Sequence, residues 1–172
     1  MKIVATLTID EFLDEFPHAF LFSFESPKTD DGKDHTRLMD SIRSVDELDR
    51  YSEMVLNFVP LLPNPHTNRE FPGKVLIGRD DNRDFVIGHD TVSKRHACLL
   101  HDSAENTYHL IDSGSTNGTQ ARGEPLDAGQ KALLSDGDVV TFGERSFLFF
   151  SPRGAYEYMQ QYRLFRDARD RV

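Results

Sequence analysis

The spacing of apolar residues changes twice along this chain of 172 residues, and each change marks a new kind of element. Lys2–Leu7 is β-branched and apolar and predicts a strand. Thr8 then precedes Glu11 at capping-box spacing, which predicts a short helix through Phe16, stopped by Pro17. The alternation in AFLFSF, Ala19–Phe24, puts Phe20, Phe22 and Phe24 on one face of a strand. Ser26–His35 is polar, holds Pro27 and Gly32, and reads as a loop. From Thr36 to about Phe58 the period turns helical: Leu38, Ile42, Val45, Leu48, Tyr51, Val55 and Phe58 recur every three or four residues. Ser44 and Glu47 offer a second capping box within it, and Pro60, Pro63 and Pro65 end it in a Pro-rich linker. This stripe is read either as core for the rest of the chain or as a docking face for another protein.

After Lys74 the pattern changes again, to short strands punctuated by Gly, Asn and Asp. The predicted strands are Lys74–Ile77, Phe85–Val86, Ala97–His101, Thr107–Asp112, Ala132–Leu134, Val139–Phe142 and Phe147–Phe150. Such close spacing is the pattern of a β-sandwich. Ser151 and Pro152 then stand as N-cap and first position of a C-terminal helix. Ala155, Tyr158, Met159, Tyr162 and Phe165 form its apolar stripe, expected to pack on the sandwich.

Composition narrows what this fold does. At 38% hydrophobic residues, with 13 Phe, the chain has enough apolar mass for a core. No stretch approaches the roughly 18 apolar residues that span a bilayer, and the N-terminus turns acidic too soon for a signal peptide. A cytoplasmic protein without a membrane partner is the expectation. The lone cysteine, Cys98, sits in an apolar run and is read as a buried structural thiol. The net charge of −9 argues against nucleic acid as a partner. The acidic excess is 7 in residues 1–70 and 4 in residues 71–152, so a site for an anion must gather its few cations in one place.

Three short signatures follow one another in the strand-rich half: Gly78–Arg79, then SKRH at Ser93–His96, then GSTNGT at Gly114–Thr119. A fourth, L-x-x-G-D-x-[VI]-x-x-G, runs from Leu134 to Gly143 and belongs to the framework. In this order they resemble the forkhead-associated (FHA) family, whose domains read phosphothreonine in partner proteins. The resemblance covers roughly Phe71–Pro152. It implies a mostly β protein: an FHA-type β-sandwich at 71–152, an α+β extension with a Pro-rich linker at 1–70, and a C-terminal amphipathic helix at 153–172.

A phosphothreonine presents close to two negative charges and three strong acceptors. Arg79, ending a strand after Gly78, can bind phosphate through two parallel hydrogen bonds; its bland alternative is a salt bridge to Asp80 or Asp84. Ser93 can donate its hydroxyl and Lys94 a charge or backbone N–H. The resemblance implies a Thr116 hydroxyl near the phosphate and an Asn117 amide on the ligand backbone, with His96 supporting the serine loop. Gly78 and Gly118 are read as structural support. By the same resemblance, Gly88–Val92 and Gly143–Ser146 read the residue three after the phosphothreonine, where Arg145 would favour an acidic side chain.

Ser93, His96 and Asp112 are the residue types of a hydrolase triad, but no G-x-S-x-G elbow surrounds the serine. His96, His101 and His109 fit no strong zinc spacing, so neither catalysis, metal nor cofactor is expected. The main alternative is a phosphate-independent scaffold that binds through its N-terminal extension. The expected partner is a phosphothreonine-containing protein, either a Ser/Thr kinase or a kinase substrate. Self-association through a phosphorylated Thr29, Thr36 or Thr67 is a further expectation.

Overall fold

The computed structural model describes residues 7–25, 55–63 and 73–169, with side chains through residue 23, for 59–63 and for 73–161. In chain order the elements are α1 (Ile9–Glu15), β1 (Phe20–Glu25), β2 (Val55–Pro60), β3 (Lys74–Gly78), β4 (Phe85–Val86), β5 (Ala97–Asp102), β6 (Thr107–Asp112), β7 (Thr119–Ala121), β8 (Glu124–Pro125), β9 (Lys131–Leu134), β10 (Val139–Phe142), β11 (Arg145–Phe150) and α2 (Pro152–Arg169). The strands form two sheets, ordered β2-β1-β11-β10-β7-β8 and β4-β3-β5-β6-β9. The β-sandwich expected from the alternating runs is the fold observed.

Alternation is clearest in the second sheet. Along β6, Tyr108, Leu110 and Asp112 are buried while Thr107, His109 and Ile111 are half-buried, so one face meets the opposite sheet. The core between the sheets gathers Ile77, Leu99, Leu110, Val140, Phe142 and Phe149. A second cluster lies on the outer face of the first sheet, where Phe20, Phe22, Leu148 and Phe150 receive Phe12 from α1 and Ala155 and Tyr158 from α2. Phe22 stacks on Phe150 at 4.7 Å and Tyr158 lies 4.8 Å from Phe150. The helix stripe thus packs on the sandwich, through Ala155, Tyr158 and Met159.

Both helix starts follow from their capping residues. Thr8 Oγ1 accepts from Glu11 N at 3.4 Å while Thr8 N donates to Glu11 Oε2 at 2.7 Å. Ser151 Oγ accepts from Gly154 N at 3.1 Å, and Pro152 takes the first helical position, where its missing N–H costs nothing.

The helical reading of Val55 and Phe58 is corrected. Val55–Pro60 is a strand, and its six residues pair antiparallel with β1 from Phe20↔Pro60 to Glu25↔Val55. Tertiary pairing wins here because VLNFVP carries apolar residues at either period, and the unpaired edge of β1 supplies the ladder. The rest of that stripe, together with the Lys2–Leu7 strand (but for Leu7), the Ser26–His35 loop, most of the Pro-rich linker and Thr29, Thr36 and Thr67, lies outside the described residues. Leu61 continues past β2, donating its N–H to Ala19 O at 2.8 Å and burying its side chain in the core. Two short strands, β7 and β8, add to what the sequence pattern predicts.

Candidate functional site

Four connections meet at one end of the sandwich: 79–84, 87–96, 113–118 and the turn at 143–144. Direct hydrogen bonds join them. Arg79 N donates to Ser93 O at 2.9 Å, Thr116 N to Ser93 Oγ at 3.0 Å, and Gly143 N to Gly118 O at 3.1 Å.

Gly78 and Arg79 work as a pair because only glycine lets the end of β3 touch the 87–96 connection. A Cβ at position 78 would fall 2.3 Å from the Lys94 carbonyl oxygen, so any side chain would push the serine loop away. Arg79 next to it is exposed, and its Nε donates to Val92 O at 3.2 Å. That bond fixes the guanidinium and leaves its two terminal amino groups without a protein acceptor among the described residues. No described carboxylate forms a salt bridge with it. Asp84, one of the two bland partners, instead accepts from Leu76 N at 2.6 Å.

Ser93 and Thr116 place their hydroxyl oxygens 3.3 Å apart, both at the surface. Ser93 Oγ accepts the Thr116 N–H and donates its own proton to Thr116 Oγ1, so the Thr116 hydroxyl proton is the one left to face a ligand. Lys94 is exposed, and its carbonyl accepts from Asp80 N at 3.3 Å. Asn117 donates from Nδ2 to Thr91 O at 2.8 Å, which orients the amide and leaves Oδ1 without a described protein donor.

Two buried groups hold these loops in place. His96 is fully buried, with Nδ1 accepting from Ser93 N at 2.9 Å and Nε2 lying 3.0 Å from Gly118 O. A carbonyl can only accept, so Nε2 carries the proton and the ring is neutral. Burial lowers the His96 pKa, against opposing effects of the Gly118 carbonyl and the Asp112 charge. Asp112, also buried, accepts from Gly114 N at 2.7 Å, Ser115 N at 3.0 Å, Ser115 Oγ at 2.6 Å and Thr119 Oγ1 at 2.6 Å. Burial alone would raise its pKa, but the Ser115, Thr119 and Gly114 donors together hold it below the ordinary carboxylate range.

The structure therefore brings Arg79, Ser93, Lys94, Thr116 and Asn117 to one surface, with Gly78, His96 and Gly118 behind them. It does not assemble the hydrolase triad. His96 meets Ser93 through the backbone N–H rather than the hydroxyl, and Asp112 spends its oxygens on its own loop. Nor do the three histidines converge: His101 pairs with Tyr108 and His109 with Leu100, on opposite faces of the sheet. Sequence reasoning missed the parts that Thr91 and Asp112 play in ordering the loops. Asp112 stands two residues before GSTNGT, an Asx-turn position that could have flagged it; Thr91 carries no comparable signal.

Residues 75–143 match the family model described as FHA domain. The ABC transporter ATP-binding/permease protein Rv1747 of Mycobacterium tuberculosis is 39% identical over 89 residues, covering 52% of this chain and 10% of that protein. The glycogen accumulation regulator GarA of the same organism is 35% identical over 74 residues, 43% of each chain. This chain thus spans less than half the length of these two relatives. Among solved structures, the N-terminal FHA domain of Saccharomyces cerevisiae Rad53p, in complex with a phosphothreonine peptide, aligns with a TM-score of 0.51 over 81% of this chain and 98% of that one. At 16% identity that likeness shows the fold. The GR, SxxH and NG residues gathered on one end of the sandwich all fall within residues 75–143, the segment of this chain that matches the FHA domain model.

Proposed function

We propose that this end of the sandwich binds a phosphorylated threonine in a partner protein. The observation that carries the reading is the exposed Arg79 guanidinium, fixed by Val92 O and free of any described carboxylate, beside the Ser93 and Thr116 hydroxyl pair. A cation held ready for bidentate contact, next to two hydroxyls, matches the charge and acceptors of a phosphomonoester. Arg79, Ser93, Lys94 and Thr116 receive the phosphate. Asn117 grips the ligand backbone through the remaining amide proton and Oδ1. Gly78, His96 and Gly118 keep the loops at the right distance.

The partner in this reading is a Ser/Thr kinase or one of its substrates, met in the cytoplasm, and binding couples kinase output to assembly of a complex. Among the described residues no helix is long and apolar enough to cross a membrane. A self-partner phosphorylated at Thr29, Thr36 or Thr67 would use the same surface.

Fluorescence anisotropy against a degenerate phosphothreonine peptide library tests the reading, with unphosphorylated peptides as controls. Charge-assisted hydrogen bonds contribute roughly 1.5–3 kcal/mol each, so Arg79→Ala should weaken binding by about tenfold or more. Binding that ignores phosphate or survives Arg79→Ala intact would overturn it.

A further inference from the structure

We propose that Thr91 is a positioning residue that ties the Asn117 amide to the Gly143–Glu144 turn, so that the loops facing the ligand beyond its phosphothreonine move as one unit. This rests on the phosphothreonine reading above for its functional consequence, while the coupling itself is a property of the unliganded protein.

Three hydrogen bonds close a ring through three separate connections. Asn117 Nδ2 donates to Thr91 O at 2.8 Å, Glu144 N donates to Thr91 Oγ1 at 3.0 Å, and Gly143 N donates to Gly118 O at 3.1 Å. Gly118 follows Asn117 and Gly143 precedes Glu144, so the ring is complete. None of its members can shift without straining another.

The Thr91 hydroxyl is fully committed. A backbone N–H only donates, so Oγ1 accepts from Glu144 and has its own proton left for His89 Nδ1, 2.8 Å away. Thr91 N also points to that nitrogen, at 3.4 Å, which agrees with Nδ1 being the bare nitrogen of the ring. The residue is thereby pinned at both its amide and its side chain, and its carbonyl is aimed by consequence.

Gly143 comes close to the same carbonyl. Its φ is +59°, and a Cβ there would stand 2.5 Å from Thr91 O and 2.8 Å from Thr91 Oγ1. Only glycine lets the turn close this far. What the contact controls is the amide plane of Asn117. With one Nδ2 proton spent on Thr91 O, the direction of the second proton and of Oδ1 is set, and those are the groups a ligand peptide bond would meet.

The test uses the full chain and begins without ligand. Thr91→Val removes the hydroxyl at nearly constant shape; Thr91→Ser keeps it; Gly143→Ala pushes on the carbonyl from the turn. In 1H–15N spectra, Thr91→Val should shift the Asn117 side-chain amide pair and speed solvent exchange of both that pair and the Glu144 N–H. Thr91→Ser should restore them, and Gly143→Ala should move the same Asn117 signals. Asn117 resonances unchanged in Thr91→Val would overturn the coupling.

Two phosphopeptides then read the consequence, one ending in an amide at the phosphothreonine and one continuing several residues beyond. Loss of about one hydrogen bond's worth of order predicts roughly three- to tenfold weaker binding of the longer peptide by Thr91→Val. The shorter peptide, held by phosphate contacts alone, should change by less than about twofold, and Thr91→Ser should bind both like the wild type. Equal losses on both peptides would make Thr91 merely structural and sink the proposal. A wild-type protein that binds neither peptide overturns the phosphothreonine reading instead, and the spectra still decide the coupling.

Discussion

His96 is an uncommon side chain to bury completely, and its two nitrogens explain why it is kept neutral. Nδ1 accepts the Ser93 N–H and Nε2 donates to Gly118 O, so a second proton would have to sit on Nδ1, facing a donor. Burial lowers the folded-state pKa below the ordinary 6.5. Above that value folded and unfolded chains are both neutral here and pH has no hold on stability. As pH falls below it the unfolded state takes up a proton that the folded state refuses, so stability declines until the folded pKa is passed. Denaturant melts between pH 7.5 and 5 should therefore show a plateau and then a fall. His96→Gln should cost about 1–3 kcal/mol at pH 7, because backbone groups lose good partners, and should flatten part of the fall. His18, also lowered by burial, keeps the remainder. An acid slope as steep in His96→Gln as in the wild type would contradict this account. The SxxH spacing makes the histidine visible in sequence, but its second partner, Gly118, lies 22 residues away and depends on how the sheets pack.

At the scale of elements, the loop at 113–118 is held in shape by one carboxylate rather than by its own turn preferences. Asp112 ends β6 and accepts two backbone N–H groups and two hydroxyls from the residues that follow, so Thr116 and Asn117 are delivered to the surface from a rigid base. Asp112→Ala would leave the buried Thr119 hydroxyl and two loop amides short of an acceptor. It should lower stability by about 1–3 kcal/mol or more and weaken phosphopeptide binding, although Asp112 touches no ligand in this reading. Thermal melts paired with anisotropy check it; unchanged affinity in a destabilised protein would show that the loop keeps its shape without the carboxylate. The strand that leads into the loop was legible because its alternation is strict: Thr107–Asp112 appears with the bounds its pattern predicts, as does Val139–Phe142. β2 was not. Val55 and Phe58 continue a three-to-four-residue stripe, and only the open edge of β1 tells the chain to extend there. β7 and β8 escaped for another reason, since two or three residues are too few to set a period.

Across the whole molecule, the structural unit is wider than the motif-bearing segment. β1 pairs with β11 on one side and β2 on the other, and its outward Phe20 and Phe22 form the floor on which α1 and α2 rest. Its inward Leu21, with Ala19 and Leu61, enters the core between the sheets. A chain beginning at Gly73 would lose all of these, along with Phe12. Burying one large apolar side chain contributes about 1.5–3 kcal/mol, so removing Phe12, Phe20, Phe22, Leu21 and Leu61 withdraws on the order of 7–15 kcal/mol, comparable with the entire stability of a typical domain. It would also bare β11, whose FLFF end becomes an unpaired apolar edge suited to aggregation. The fragment 73–172 should therefore fail to give a cooperative thermal transition and should elute as aggregate in size-exclusion chromatography, while the intact chain melts cooperatively. The argument extends to binding. Arg145–Phe150 leaves the 143–144 turn directly, so loss of β1 should also disturb the ring that orients Asn117, and any soluble fraction of the fragment should bind the longer phosphopeptide more weakly than the intact chain. A monomeric fragment that melts within a few degrees of the intact protein would show instead that the five-stranded sheet and the remaining four strands suffice, and that residues before 73 serve some purpose other than completing the sandwich.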